Sequence, residues 1–338
     1  MAVFEDLIEA LAQPTEVTEL ALYGDDLRPT DLILPEEVDR LVNLERLYLG
    51  QWLEVSLPAS LATLPRLREV QLEECCYMEI PEVMFAVKAL RELHLSAPSA
   101  DKMLPAAIGG LSQLEVLSFW GLKGLSEALS VCKQLRALDI SHGDFEAIPR
   151  VVGNLPALRQ LDVSYTGVDE LPRWFTSLPI EVLRLNQGPA HIFPKWSKKK
   201  VQQIRQSWGE MRYLRELSLA HQHVIDVSSH VREWTQLLRL GLSYNAMTEV
   251  PDEIGLIPNL EYLDLRANQL SDLPAAWAGW KAPLSIDLSQ NPITRLPSVL
   301  QAIPKLRSVV LAGTPIAKGD RDFVHDALPG VNVQWEFS

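Results

Sequence analysis

The pattern LxxLxL recurs through most of this 338-residue chain at a nearly constant spacing. Successive copies start 23, 23, 24, 21, 23, 22, 34, 23, 23, 23 and 23 residues apart, so a single interval departs from the period. A unit this short cannot bury its apolar side alone, whereas stacked units share one continuous core. The copies start at Leu44, Leu67, Leu90, Leu114, Leu135, Leu158, Ile180, Leu214, Leu237, Leu260, Pro283 and Leu306.

The remainder of each unit repeats as well. An apolar residue followed by proline stands thirteen places after most starts, as in Leu57-Pro58 and Leu273-Pro274. Further apolar residues stand six and three places before the starts, as Trp277 and Trp280 do before Pro283. This spacing predicts a strand, a turn and a short helical or extended return in every unit. Stacking then places parallel strands about 4.8 Å apart along one face.

The stretch LEYLDLRANQLSDLP, from Leu260 to Pro274, resembles the leucine-rich repeat family in its 23-residue intracellular and bacterial form. The resemblance runs from about Val17 to Trp335. It implies an α/β fold: a leucine-rich-repeat solenoid, or horseshoe, with a parallel concave β-sheet and short helical or extended returns on the convex side. It also implies a protein-binding scaffold, because most members serve as one and the family shares no catalytic residues.

The repeat boundaries predict three segments. Residues 1–16 are expected to form an N-terminal capping helix, because Phe4, Leu7, Ile8 and Leu11 fall on one helical side. Residues 17–315 are expected to form a solenoid of about 13 repeats, and residues 316–338 a C-terminal cap. Caps protect the apolar ends of a solenoid, and with both ends capped we expect no fused catalytic domain.

The single long interval predicts an inserted helix at about residues 195–206. It contains Val201, Ile204 and Trp208 at helical spacing, with Ser197 as a candidate N-cap. The basic run Lys198–Lys200 would then face solvent. A solvated helix end is the simpler interpretation of such a run, and a docking element for an acidic partner is the alternative.

Charge and composition exclude several classes of protein. A net charge of −13 and a pI near 5.1 argue against binding nucleic acid or an anionic membrane surface, since both require a positive face. The start carries Glu5 and Asp6 where a secretory leader would be basic, and no apolar run reaches the roughly 18 residues of a membrane span. We therefore expect a cytoplasmic monomer, and delivery into another cell by a dedicated secretion system stays open.

The cysteines and histidines do not form recognisable reactive or metal-binding patterns. Cys75 falls at the ninth position of its unit, where this family uses Asn or Cys to hydrogen-bond the turn, and Cys132 fills an apolar slot. Cys76 has no His or Asp partner at a usable spacing. The histidines His221, His223 and His230, with Asp226, give no tetrahedral ligand set. We predict no metal and no cofactor.

Asp139 and Asp162 occupy the fifth positions of neighbouring units, so their carboxylates should lie about 5 Å apart on the concave face. Paired carboxylates at such a distance are found in retaining glycosidases. The aspartates also recur with the repeat, as LDLS and LDVS do, and a shallow exposed face perturbs a pKa only weakly. A structural role is therefore the main interpretation, and a hydrolase the alternative.

The third, fifth and seventh positions of each unit should face the concave side, and there the early units differ from the late ones. Asparagine holds the ninth position only at Asn245, Asn268 and Asn291, so the C-terminal third is the regular part. Exposed aromatic side chains beside charges are typical of a binding site, although irregular units could also reflect drift alone. The predicted binding residues are Arg46, Tyr48, Glu69, Glu73, Glu92, His94, Trp120, Asp139 and Asp162.

These features predict a non-catalytic protein-interaction module. Its partner should be a protein with a basic face, because carboxylates dominate the predicted site. A regulatory adaptor and a bacterial effector both fit this description. Some effectors with similar repeats carry an E3 ubiquitin ligase region, which makes the repeat part of such a ligase a further alternative.

Overall fold

The computed structural model describes residues 2–25, 30–75, 80–96, 102–168, 170–188, 211–222, 231–316 and 320–336. These residues divide into two compact units, Met1–Val163 and Ser164–Ser338, and each is described by itself. The insertion predicted at 195–206, including Lys198–Lys200, lies outside the described residues.

The first unit is built around a parallel sheet. Its strands are β1 (Ala2–Phe4), β2 (Val17–Tyr23), β3 (Leu32–Ile33), β4 (Arg46–Gly50), β5 (Val55–Ser56), β6 (Glu69–Glu73), β7 (Glu92–Ser96), β8 (Lys102–Met103), β9 (Val116–Trp120), β10 (Leu122–Gly124), β11 (Ala137–Asp139) and β12 (Gln160–Asp162). The main sheet has the order β1-β2-β4-β6-β7-β9-β11-β12. Two small parallel pairs, β3 with β5 and β8 with β10, follow the strand ends.

Side chains alternate across this sheet as the repeat predicts. In β4, Leu47 and Leu49 are buried. Arg46 and Tyr48, which alternate with them, are half-buried on the other face. Because successive side chains of a strand point to opposite faces, the LxL pair of each repeat supplies the core. The third and fifth residues are left on the opposite side, which we call the exposed sheet face.

Short 3-10 helices carry the chain back from each strand. Most begin directly after the proline of the repeat, as at Pro58 and Pro149. Proline suits this place because its φ is fixed near −65° and the first turn needs no N–H from it. In the first unit they span Glu36–Arg40, Ala59–Thr63, Glu82–Ala86, Ala106–Gly110, Glu127–Val131 and Arg150–Asn154.

The N-terminal segment is not only a helix. Residues Ala2–Phe4 form β1, which pairs in parallel with β2, and α1 spans only Leu7–Ala12. The helix starts late because the Asp6 side chain caps it, accepting a hydrogen bond from the Glu9 N–H at 2.9 Å. Phe4 is therefore buried as a residue of strand β1 and not of a helix. Ile8, which was expected on the covered face, is 80% exposed.

The second unit repeats this architecture. Its strands are β13 (Val182–Arg184), β14 (Glu216–Ser218), β15 (Arg239–Gly241), β16 (Tyr262–Asp264), β17 (Leu284–Asp287), β18 (Leu306–Val310) and β19 (Asn332–Gln334), parallel and in sequence order. Its 3-10 helices span Arg173–Ser177, Val231–Glu233, Asp252–Leu256, Ala275–Gly279 and Ser298–Ala302. In the predicted cap region, α2 (Arg321–Ala327) precedes β19.

The eighth residue of most repeats turns the chain out of the strand with a positive φ. The angle is +64° at Gln51, +54° at Glu74 and +59° at His142. Gly121 and Gly313 hold the same position at +80° and +69°. Glycine adopts this conformation freely, whereas other residues require support from the surrounding structure.

The ninth residue supplies part of that support. The Asn268 amide donates to the carbonyls of Leu242 and Leu265, both at 2.9 Å, and its oxygen accepts from the N–H groups of Asn245 and Met247. Cys75 occupies this position in the first unit, buried, with its thiol 3.3 Å from the Glu73 carbonyl. The predicted structural role of Cys75 is confirmed.

Among the described residues, no helix combines the length and the apolar character that a membrane crossing needs.

Candidate functional site

All nine predicted binding residues lie on the exposed sheet face of the first unit, in three rows that run across the strands. Arg46, Glu69 and Glu92 are register partners in one row. In the middle row the register passes from Tyr48 through Gln71, His94 and Ser118 to Asp139 and Asp162. Glu73 and Trp120 end their strands in the third row.

One end of the face is held by ion pairing and hydrogen bonding. Arg46 Nε donates to Glu19 Oε2 at 2.8 Å, and this hydrogen bond raises the pKa of the guanidinium. The Tyr48 hydroxyl donates to Glu69 Oε1 at 3.0 Å. Burial first, and then this hydrogen bond, raise the pKa of Tyr48 to about 12. Tyr48 is therefore a neutral donor held in place on the face.

Glu69, Glu92 and His94 form a small cluster beside Tyr48. Their nearest ligand-type atoms all lie within 4.8 Å of one another, and His94 Nε2 is 3.8 Å from Glu92 Oε2. Carboxylates and imidazole are metal-ligand types, yet Glu69 already accepts from Tyr48. Exposed acidic clusters are common on charged surfaces, so the cluster adds to the negative field of the face and defines no metal site by itself.

Trp120 and Asp139 form the centre of the other end. Trp120 is 46% exposed, and its Nε1 donates to Asp139 Oδ2 at 2.8 Å. Asp139 also accepts from Ser118 Oγ at 3.2 Å and from the Ser141 N–H at 2.9 Å. Three donors hold this carboxylate in place, and through them it orients its neighbours, in particular the Trp120 ring.

The Asp139 and Asp162 pair has the register that the hydrolase alternative requires, because the two residues are direct partners across β11 and β12. The donors around Asp139, however, make it an anchor for Trp120 and for the turn. The larger depression of this face lies elsewhere, and its walls include neither aspartate.

The sequence analysis missed His142, which borders Trp120. The two rings are 6.0 Å apart and tilted by 43°. Burial lowers the pKa of His142, against an opposing effect of Asp139 and Asp162. Its place as the eighth residue of its unit, in the positive-φ turn, was the available signal, since that residue follows the exposed seventh position directly.

The sequence analysis also missed a depression at the start of the sheet. It encloses about 440 Å³ and we call it the β2–β6 pocket. Its walls come from β2, which carries an earlier copy of the pattern at Val17, Leu20 and Leu22, as well as from the predicted residues. The residues that line it include Glu5, Glu19, Tyr23, Tyr48, Gly50 and Glu73. A smaller depression of about 70 Å³ lies beside Glu73, His94 and Trp120.

The remaining chemical candidates have structural roles where the structure describes them. Burial raises the pKa of the Cys132 thiol to about 11, which makes it unreactive near neutral pH. The His221 ring stacks on Tyr244 with the centroids 4.3 Å apart. Cys76, His223, Asp226 and His230 lie outside the described residues.

Comparison with known proteins agrees with this repeat architecture. The family model described as leucine-rich repeat matches residues 258–316. A leucine-rich repeat protein of Leptospira interrogans aligns with a TM-score of 0.52 and 24% identity over 99% of this chain and 100% of that one. The chain has the leucine-rich repeat fold. An internalin of Listeria monocytogenes, InlF, aligns with a TM-score of 0.59 and 15% identity over 96% of this chain and 82% of its own.

Relatives by sequence are larger proteins. The volume-regulated anion channel subunit LRRC8A of Mus musculus and that of Homo sapiens are each 26% identical over 267 residues, which is 77% of this chain. The chain spans about 29% of the length of these curated relatives. The plant peptide hormone receptor RGFR1, solved in complex with RGF2, aligns with a TM-score of 0.50 and 16% identity over 88% of this chain and 58% of its own.

The part of the chain that the family model matches does not contain the candidate site. The match covers the regular repeats with Asn268 and Asn291, whereas the nine candidate residues lie between Arg46 and Asp162. The candidate residues therefore lie in repeats outside the matched region.

Proposed function

We propose that the exposed sheet face of the first unit binds a protein partner that presents a basic surface, without catalysing a reaction. Leucine-rich repeat proteins generally mediate protein–protein interaction. The observation that carries the proposal is the joint placement of Tyr48 and Trp120 with the carboxylates on one face of a single sheet. Aromatic anchors with fixed side chains contribute much of the free energy of protein interfaces.

The size of the face favours a macromolecular partner. Six consecutive main-sheet strands, from β4 to β12, carry candidate residues. At about 4.8 Å between neighbouring strands they cover about 24 Å. A folded protein or an extended peptide fills such a length, whereas a metabolite needs a deeper and more enclosed site.

Charge defines the kind of partner. Glu69, Glu73, Glu92, Asp139 and Asp162 all stand on the face, and Arg46, its basic member, is paired with Glu19. The whole chain has a net charge of −13. A partner with a basic face would be attracted at long range, and its association rate should fall as salt is added.

The proposal also covers the oligomeric state, the location and the class of partner. The protein would act as a monomeric, cytoplasmic adaptor or effector that needs no cofactor. Its acidity argues against nucleic-acid and membrane surfaces as partners. The peptide hormone receptor RGFR1, a structural neighbour solved in complex with RGF2, offers a precedent for a bound peptide.

The test is capture of the partner from a lysate of the source cells, followed by binding measurements on substituted proteins. Replacing Tyr48 or Trp120 by alanine should weaken binding by about 2 kcal/mol, which is about 30-fold in Kd. Tyr262→Ala is a matched control, because Tyr262 is also half-exposed on a sheet face but belongs to the second unit. Substitutions at Ser289 and Ala312 would be unsuitable controls, because both residues are fully buried and cannot contact a partner.

Thermal unfolding of each variant separates loss of binding from loss of fold. If Tyr262→Ala weakens binding as much as Trp120→Ala does, the partner does not select the face of the first unit. If a captured partner binds all variants equally, the proposal is wrong.

A further inference from the structure

The β2–β6 pocket depends on a glycine. A Cβ atom on Gly50 would lie 2.8 Å from Cδ1 and 2.9 Å from Cε1 of Tyr23. Real Cβ atoms do not approach carbon so closely, so any larger residue at this position would displace the Tyr23 ring. The next strands carry Glu73 and Trp120 at the same repeat position. Gly50 therefore allows the Tyr23 ring to pack against β4, where it forms one wall of the pocket.

The pocket has aromatic walls. Tyr23 is 59% exposed at its rim, and Tyr48 is held by its hydrogen bond to Glu69. Together the two rings offer apolar contact surface for an aliphatic stem, and neither ring belongs to a long flexible side chain that has to be ordered on binding. Rings of this kind attract cations through their negative faces as well as apolar stems through contact area.

The charged groups of the pocket are all carboxylates. Glu19 is neutralised by Arg46, and the Gln71 amide donates to Glu73. In the part of the chain that the structure describes, no basic side chain lies within ion-pair distance of Glu5 or Glu73. Glu5 and Glu73 are both exposed to solvent, and beside the aromatic rings they form a local excess of negative charge that attracts a cation.

The carboxylates of the pocket do not belong to a three-ligand cluster of the kind that a metal ion favours. Among the described residues, one such group converges to within 4.8 Å, namely Glu69, Glu92 and His94, and it does not include Glu5 or Glu73. Carboxylates outside such a cluster suit a cation that carries several donors on a planar frame. The guanidinium of arginine has this form, stacks on aromatic rings and loses its hydration more readily than an ammonium group.

We propose that the β2–β6 pocket holds one arginine side chain of the protein partner, with its stem against Tyr23 and Tyr48 and its guanidinium at Glu73 and Glu5. This inference rests on the proposed function and gives the basic partner a specific contact. The volume of about 440 Å³ falls within the roughly 300 to 1,000 Å³ of ligand pockets, and leaves space for water beside the side chain.

The test uses N-acetyl-arginine amide as a probe, titrated into the full chain with isotope-labelled tyrosine rings and followed by NMR. The ring resonances of Tyr23 and Tyr48, assigned from their phenylalanine variants, should shift with a millimolar Kd. N-acetyl-citrulline amide has nearly the same shape without the charge, and it should leave them unshifted. The lysine analogue should bind at least threefold more weakly than the arginine probe.

Two kinds of variant locate the probe. Glu73→Gln and Gly50→Ala should each raise its Kd at least threefold, the first by removing charge and the second by displacing Tyr23. Glu261→Gln is the control, because Glu261 is an exposed glutamate of the second unit, and it should leave the Kd unchanged. If Gly50→Ala fails to fold, Tyr23→Ala replaces it, since Tyr23 is mostly exposed.

Three results would overturn the assignment: equal shifts with citrulline, unchanged affinity in Glu73→Gln, or no shift at probe concentrations of about 100 mM, far above a millimolar Kd. A captured partner then separates the two proposals. If its binding depends on Trp120 and not on Glu73 or Tyr23, the pocket assignment fails while the proposed function stands.

Discussion

At the scale of single residues, some repeat positions support the fold and others form the candidate site. Asn268 satisfies four buried backbone groups of its turn. The Tyr48 hydroxyl instead donates a hydrogen bond to Glu69, another side chain of the exposed sheet face. Both contacts fix a geometry, but the first should matter for stability and the second for the state of the site.

Asn268→Ala should lower the free energy of unfolding by about 3 kcal/mol, because it leaves buried carbonyl and N–H groups without partners. Asn259→Ala is a matched control. Asn259 also donates to a backbone carbonyl, that of Thr235, but in an exposed position, so its loss should cost about 0.5 kcal/mol or less. Urea unfolding measures both, and similar losses would contradict a specific role of the buried ladder.

Tyr48→Phe should reveal the perturbed hydroxyl. Burial and the Glu69 hydrogen bond raise the folded-state pKa of Tyr48 to about 12, above the ordinary tyrosine value of about 10. The resulting stabilisation should be complete below about pH 10 and lost as the pH rises through about 12. The difference in near-ultraviolet absorbance between the two proteins should titrate at about pH 12 when folded and at about pH 10 in denaturant. A folded-state midpoint near 10 would show that Tyr48 is not held as described.

At the scale of elements, the N-terminal segment does more than a capping helix. β1 covers the edge of β2 with a parallel pairing, and α1 follows it with Ala10 fully buried. An uncovered strand edge presents unpaired N–H and carbonyl groups that pair readily with other chains. The cap thus satisfies backbone groups as well as apolar side chains.

Deleting residues 1–15 should therefore make the protein fray or associate from that end. Hydrogen exchange should accelerate in β2 and β4 and change little in β16 and β17. Ile8→Ala is the control for the helix surface, since Ile8 is mostly exposed and its truncation should leave exchange unchanged. A shortened protein that stays monomeric, with wild-type exchange in β2, would contradict the capping role.

The elements also show which parts of the fold the sequence could predict. The LxL pairs located the strands because burial of every second residue requires alternating apolar residues, which are visible in the sequence. β1 was missed because three residues carry no period, and the helical spacing of Phe4, Leu7, Ile8 and Leu11 suggested one continuous helix. The Asp6 cap starts the helix after Phe4 through a local hydrogen bond from the Glu9 N–H, so Asp6 was the signal available in the sequence. The positive φ of the eighth residue was likewise invisible, because residues as different as Gln51 and His142 adopt it.

The candidate site was predictable only in part. Repeat register placed Tyr48, Glu73 and Trp120 on one face, since equal positions in stacked units become neighbours. The β2–β6 pocket was not predicted, because it depends on a missing side chain at Gly50 and on Tyr23 from the preceding copy. A cavity of this kind follows from three-dimensional contacts that no spacing rule encodes.

At the scale of the whole molecule, charge should control how fast the partner arrives. With a net charge of −13, association with a basic partner should slow as salt rises, while dissociation changes less. Stopped-flow or surface-based kinetics over about 0.05 to 0.5 M salt would measure both rates. An association rate that is independent of salt would contradict a basic partner surface.

Hydrogen exchange of the captured complex shows whether a protein partner occupies the exposed sheet face of the first unit. We expect slower exchange in β4, β6, β7 and β9 on binding, with the largest change around Tyr48 and Trp120. We expect little change in β15, β16 and β17 of the second unit. Protection confined to those second-unit strands, with Tyr48 to Trp120 exchanging as in the unbound protein, would contradict binding at this face.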